Sequence, residues 1–101
     1  MKKKRKRKIR EYQIITEIPE TLIPETIYIE GEKRNHWIAS LLCPCGCNEV
    51  IRLNLLKNVY PRWNIKFHWY GKISLSPSIK RTVGCNSHFV INKNKIYWCN
   101  F

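Results

Sequence analysis

The sequence contains no aspartate and only seven glutamates, most of them before residue 33. A carboxylate able to orient a catalytic histidine or cysteine is therefore hard to find, Glu49 apart. No apolar run approaches the roughly 18 to 20 residues needed to cross a bilayer. The basic start is followed by Tyr12-Gln13 and Glu17, not by the apolar segment of a secretory signal, so a cytoplasmic protein with no membrane partner is expected. No stretch of ten or more residues carries the apolar period of a helix, and no repeat of fixed length is present.

What is there suits one small globular unit. A chain of 101 residues is too short to divide into two cores. Apolar residues at 44% and aromatics at 12%, with four Trp and five Tyr, supply enough material for one core. The formal charge of +12 is unevenly placed. Lys2, Lys3, Lys4, Arg5, Lys6, Arg7 and Lys8 carry seven of the nineteen basic side chains, which leaves 12 − 7 = +5 for the rest. The nine Asn and the abundance of Ile and Lys fit a bias towards AT-rich codons, which raises Lys without selection for an anionic partner. Residues 1–10 repel one another and have no apolar face, so they are expected to be a disordered basic tail ahead of a folded domain at 11–101.

Between Glu11 and Pro24, Pro19 and Pro24 interrupt short apolar pairs, which gives an extended approach with brief strand character. From there β-branched and aromatic runs alternate with turn signals. Strands are expected at Thr26–Glu30, His36–Leu42, Glu49–Leu55, Arg62–Trp69, Lys72–Ser76, Phe89–Ile91 and Lys95–Trp98. The cleanest is the fourth, where Trp63, Ile65, Phe67 and Trp69 recur at period two. Tyr70-Gly71 and Asn92-Lys93-Asn94 mark hairpin turns. The fold class expected is mainly β, a small antiparallel sheet and hairpin domain.

Five cysteines without a secretory signal are poor disulfide material, because reducing compartments keep thiols free and an odd number strands one. Cys43-Pro44-Cys45-Gly46-Cys47 falls between two expected strands, and Cys85-Asn86-Ser87-His88 has the two-residue spacing of a metal-binding turn. Structural zinc takes four thiolate or imidazole ligands, which small domains supply from two turns. The candidates are thus Cys43, Cys45, Cys47, Cys85 and His88, stapling segments about 40 residues apart. Which four bind stays open. A three-residue loop at Pro44–Gly46 would pair Cys43 with Cys47 and free Cys45; alternatively Cys45 binds and a neighbour is spare. Cys99 is expected to be packed or spare, and His36 and His68 to lie at the surface.

Cys43-Pro-Cys-Gly-Cys47, Trp63, Gly71, Leu75-Ser-Pro-Ser-Ile79, Cys85-Asn-Ser-His-Phe89 and Lys95-Ile-Tyr-Trp98 together resemble a bacterial family of small cysteine-containing proteins. The resemblance covers residues 11 to 99 and omits the basic tail. Members are encoded beside ubiquitin-like proteins, their activating and conjugating enzymes and metal-dependent deconjugating peptidases, in islands linked to defence against phage. It implies a partner in such a system and no particular chemistry. Members do not all keep a terminal cysteine, which argues against Cys99 as a ligand.

Three functions follow from these readings. The leading expectation is a zinc-stapled adaptor that contacts a ubiquitin-like protein or its conjugating enzyme through exposed aromatics. The second is nucleic-acid binding through Lys2 to Lys8, together with Arg52, Arg62, Lys66, Lys80 and Arg81. The third is a cysteine enzyme or acyl carrier using a thiol such as Cys45. No catalytic residue is assigned; Ser76 and Ser78 are read as parts of an edge strand or turn shaped by Pro77.

Overall fold

In the computed structural model, residues 7–32, 34–81 and 84–99 are described; Lys2, Lys3, Lys4, Arg5 and Lys6 of the basic run lie outside them. Among the described residues, eight strands form two four-stranded sheets. The first holds β1 (Glu11–Ile15), β2 (Thr26–Gly31), β3 (His36–Leu42) and β4 (Val50–Asn54) in that order. The second holds β5 (Asn64–Phe67), β6 (Ile73–Lys80), β7 (His88–Asn92) and β8 (Lys95–Trp98), also in order.

The sheets bury one face each against the other. Ile27, Ile29, Ala39, Leu41 and Leu53 of the first meet Ile73, Leu75, Ile79, Phe89 and Ile91 of the second in one core. All ten are at most 2% exposed. At roughly 1.5–3 kcal/mol for each large apolar side chain taken from water, this shared interior is the main stabilising term. The alternation of β4, with Ile51 and Leu53 inward and Val50 and Arg52 outward, is the expected half-buried pattern.

Three features depart from the sequence expectation. First, β1 pairs with β2 in parallel, because residues 16–25 cross over instead of turning back as a hairpin; the other pairings are antiparallel. Second, the segment with the strictest alternation makes only the four-residue β5. Trp63 leaves this sheet to donate its backbone N–H to Asn54 O at 2.8 Å, and Trp69–Gly71 curls into a 3-10 turn in which Tyr70 and Gly71 take positive φ. Trp69 is 85% exposed, so the period of apolar residues outruns the strand. Third, part of the expected tail is ordered. Ile9 lies in the core, its N–H donates to Asn94 O at 2.6 Å, and Lys8 bridges Lys95 on the outer edge of β8. A single apolar residue after seven charges is enough to dock this stretch.

Candidate active site and cysteine cluster

The loop after β3 folds tightly. Cys43 N donates to Glu49 O at 2.8 Å and Gly46 N to Cys43 O at 3.2 Å, while Gly46 and Asn48 take positive φ. That conformation suits Gly and Asn and disfavours other residues. Between β6 and β7, Gly84 and Asn86 also take positive φ and present Cys85 to the same place. The sulfurs of Cys43, Cys45, Cys47 and Cys85 all lie within 4.8 Å of one another. Cys43 Sγ stands 3.4 Å from that of Cys45 and 3.5 Å from that of Cys85. Four sulfurs at about 2.3 Å from one tetrahedral ion would be separated by about 3.8 Å, so the group has the size of a metal site. These four cysteines could hold a metal ion.

The surroundings divide the four thiols. Burial pushes Cys43 up to about 12 despite hydrogen bonds from the Cys45 backbone and Ser87, and burial also raises Cys47. Burial opposes ionisation of Cys85 too, but the Ser87 hydroxyl and backbone, with the thiols of Cys43 and Cys45, outweigh it and bring Cys85 down to about 6. Ser87 Oγ sits 3.1 Å from Cys85 Sγ and 3.6 Å from Cys43 Sγ, close enough to support bound thiolates. Cys99 stays outside the group, its backbone N–H on His88 O at 2.8 Å.

His88, counted among the metal candidates, is also not one of the four. Ser87 turns its buried side chain towards the sulfurs, and the next residue in the chain points to the opposite face, as strand alternation requires. Cys-x-x-His spacing brings both residues to a metal in a turn; here His88 already belongs to β7. Its Nε2 lies 2.9 Å from Ser78 Oγ on β6.

Ser78 reaches that position through an irregularity in β6. Leu75 pairs with Ile91 and Ile79 with Phe89, so four steps along β6 match two along β7 and two extra residues bulge out. Bulges re-aim side chains and recur beside active sites. Trp63 fixes the result from the other side, its indole N–H donating to Ser78 O at 3.3 Å.

A second serine–histidine contact has a different character. Ser74 Oγ donates to Asn92 Oδ1 at 2.8 Å, accepts from Lys93 N at 2.9 Å and meets His68 Nε2 at 2.7 Å. With its proton committed to Asn92, Ser74 can only accept from His68, so that imidazole cannot activate it. Among the described residues, the Ser78 hydroxyl is bonded to His88 alone. His68 and His36 are half-buried instead of exposed, the latter stacking on Phe67 with ring centroids 5.2 Å apart. A cavity of about 260 Å³ borders Cys43, Leu41 and Ile9 but is lined by neither Ser78 nor His88, which sit on the open face of their sheet.

Of the remaining sequence candidates, Arg7 accepts the Ile96 N–H at its carbonyl, 2.8 Å away, and Lys8 is exposed beside it. Glu49 pairs with Arg81. Ser78, read in the sequence as part of an edge strand or turn, is the residue that the fold sets against His88. Its signal was Pro77 inside an otherwise strand-like run, a mark of a bulge or edge.

A small β sandwich thus carries a four-cysteine cluster that could hold a metal ion and, on the outer face of its second sheet, a serine hydroxyl within hydrogen-bond distance of an imidazole. The chain belongs to the BubE family, described as "Bacterial ubiquitination-like system serine protease", whose model matches residues 14–99. Comparison with curated proteins and with solved structures finds no match.

Proposed function

We propose that this chain is a serine peptidase acting within a bacterial ubiquitination-like system, with Ser78 as nucleophile and His88 as general base and acid. The observation that carries the reading is the 2.9 Å contact between Ser78 Oγ and His88 Nε2; the family description supports the reaction class. Ser78 Oγ attacks the scissile carbonyl while His88 Nε2 takes its proton. His88 then gives that proton to the leaving amine as the C–N bond breaks, and water, deprotonated by the same nitrogen, releases the acyl group and restores Ser78.

The cysteine cluster takes a structural role in this scheme. Four sulfurs fill a tetrahedral zinc ion completely and leave no position for water or substrate. Holding Cys85 against the Cys43–Cys47 loop fixes the turn that leads into β7, and so the place of His88 opposite Ser78. The partner expected from the sequence, a ubiquitin-like protein or its conjugating enzyme, becomes substrate instead of docking partner. The Ser78–His88 contact favours this over an adaptor, which has no use for it.

The test is labelling of purified protein with a fluorophosphonate, followed by peptide mapping. Ser78 is expected to be the modified residue, Ser78→Ala to abolish labelling and His88→Gln to slow it by on the order of 10³-fold or more. Modification of a different serine, or an undiminished rate in folded His88→Gln, would sink the assignment.

A further inference from the structure

We infer that the substrate binds as an added β-strand along the open edge of β6, with its backbone hydrogen-bonded to Lys80. This rests on the peptidase reading and names how the substrate is held.

The inference follows from the hydrogen-bonding phase of the ladder. In an antiparallel pair, successive residues turn their backbone N–H and C=O alternately towards the partner strand and away from it. Arg81 N donates to Ser87 O at 2.8 Å, so Arg81 faces β7, and two residues earlier Ile79 does the same opposite Phe89. Lys80, paired with His88, must then direct its N–H and C=O to the other side. The partner agrees in phase, since His88 O accepts from Cys99 N at 2.8 Å and so points away from β6.

Among the described residues, β6 has a partner strand on that other side only as far as Ser76. Its pairing with β5 ends at Asn64 opposite Ser76, because Trp63 departs to the first sheet. Ser78 O is used by the Trp63 indole. Among the described residues, the Lys80 N–H and C=O have no partner strand, and the free pair begins two residues from the nucleophile. The opposite edge of the sheet differs, since β8 is covered by residues 7–9 through Ile96 N on Arg7 O and Ile9 N on Asn94 O.

An extended peptide matches this edge. Added strands gain affinity from main-chain bonds and need no deep pocket, which suits a dyad on an open sheet face. At about 3.4 Å per residue, a substrate residue opposite Lys80 lies two positions from the one opposite Ser78. Adding a strand thus sets the scissile carbonyl beside Ser78 while the residue two positions away exchanges both backbone bonds with Lys80. The occupant must therefore be an unfolded stretch of at least three residues, such as a flexible terminus.

The test uses tripeptidyl diphenyl phosphonates, which phosphonylate an activated serine with loss of phenol. N-methylation of the third residue from phosphorus is expected to slow modification of Ser78 at least fivefold, and N-methylation of the second to change it less than twofold. Equal rates for the parent and the third-residue analogue, with Ser78 modified by both, would overturn the edge site and leave the peptidase reading intact. Failure of every phosphonate and of a small alkyl fluorophosphonate to modify Ser78 would overturn the peptidase reading itself. As a second arm, Lys80→Pro removes a donor that the fold does not use, at an edge position where proline is tolerated. It should slow the tripeptidyl phosphonate at least fivefold; should Lys80→Pro fail to fold, the N-methyl series decides.

Discussion

Arg81 donates from Nη2 to Glu49 Oε2, and this pair joins the loop that carries three of the cysteines to the end of the strand that carries Ser78. Gly84 belongs to the same junction. A Cβ built there would stand 3.1 Å from Glu49 Oε2, and its φ of +68° disfavours any other residue. Glu49 is a brace and not a fifth ligand. Its side chain is 51% exposed, so its contribution falls in the range of surface ion pairs, at most about 1 kcal/mol. Glu49→Ala should therefore keep full metal stoichiometry with an affinity lowered by about fivefold or less, measured by chelator competition. Complete loss of metal in this variant would make Glu49 a ligand.

Removing any one sulfur from the cluster should behave differently. Cys43→Ser, Cys45→Ser, Cys47→Ser and Cys85→Ser are each expected to lose bound zinc and several kcal/mol of stability, because a site of this kind couples binding to folding. Cys99→Ser should retain both, which elemental analysis and thermal unfolding together will show. Zinc affinity should also rise with pH. The metal requires thiolates, and Cys43, pushed up to about 12 by burial, is still a thiol at neutral pH in the metal-free protein. Zinc binding must therefore release protons, visible as an ionisation-dependent heat when titrations in two buffers are compared.

Local chemistry made part of this molecule readable before any coordinates. β3 and β8 begin and end where β-branched and aromatic runs meet turn residues, and Asn92–Asn94 turns with positive φ at Lys93 and Asn94. The Cys-Pro-Cys-Gly-Cys loop stood out by its composition, although the premise that a hairpin tip has no core to fill does not hold, since Cys43 and Cys45 are buried against the core. What escaped depended on relations between distant segments. Periodicity at Trp63–Trp69 says which side chains share a face, but not that Asn54 captures the backbone of Trp63 and ends the strand. Spacing joined His88 to Cys85, since nothing in Cys-x-x-His reveals that the strand has already begun and that alternation carries the imidazole to the other face. Ser78 lacked any local mark beyond Pro77, because the bulge that aims it is a mismatch in count between two strands.

Ile9 tests the boundary of the folded unit. It is 5% exposed and packs into the core although seven basic residues precede it. Ile9→Ala should cost about 2–5 kcal/mol, the usual range for truncating a buried aliphatic side chain. A cost under about 0.5 kcal/mol in urea unfolding would place Ile9 outside the core after all.

The two serine–histidine contacts of the second sheet make opposite predictions. Ser74 has its proton engaged by Asn92 and its lone pairs by Lys93 N and His68, so it is a joint between the 3-10 turn and the β7–β8 hairpin. Ser74→Ala should lower stability by about 1–3 kcal/mol, since several bonded groups lose a partner together. Its rate of fluorophosphonate modification at Ser78 should stay within about twofold of the unmodified chain at a temperature where both are folded. Ser78→Ala breaks one hydrogen bond at a half-buried site and should change stability by no more than about 1 kcal/mol while abolishing modification. His68→Gln and His88→Gln should divide in the same way. If Ser74→Ala abolished reactivity and Ser78→Ala left it intact, the nucleophile would be Ser74, whose proton is held by Asn92.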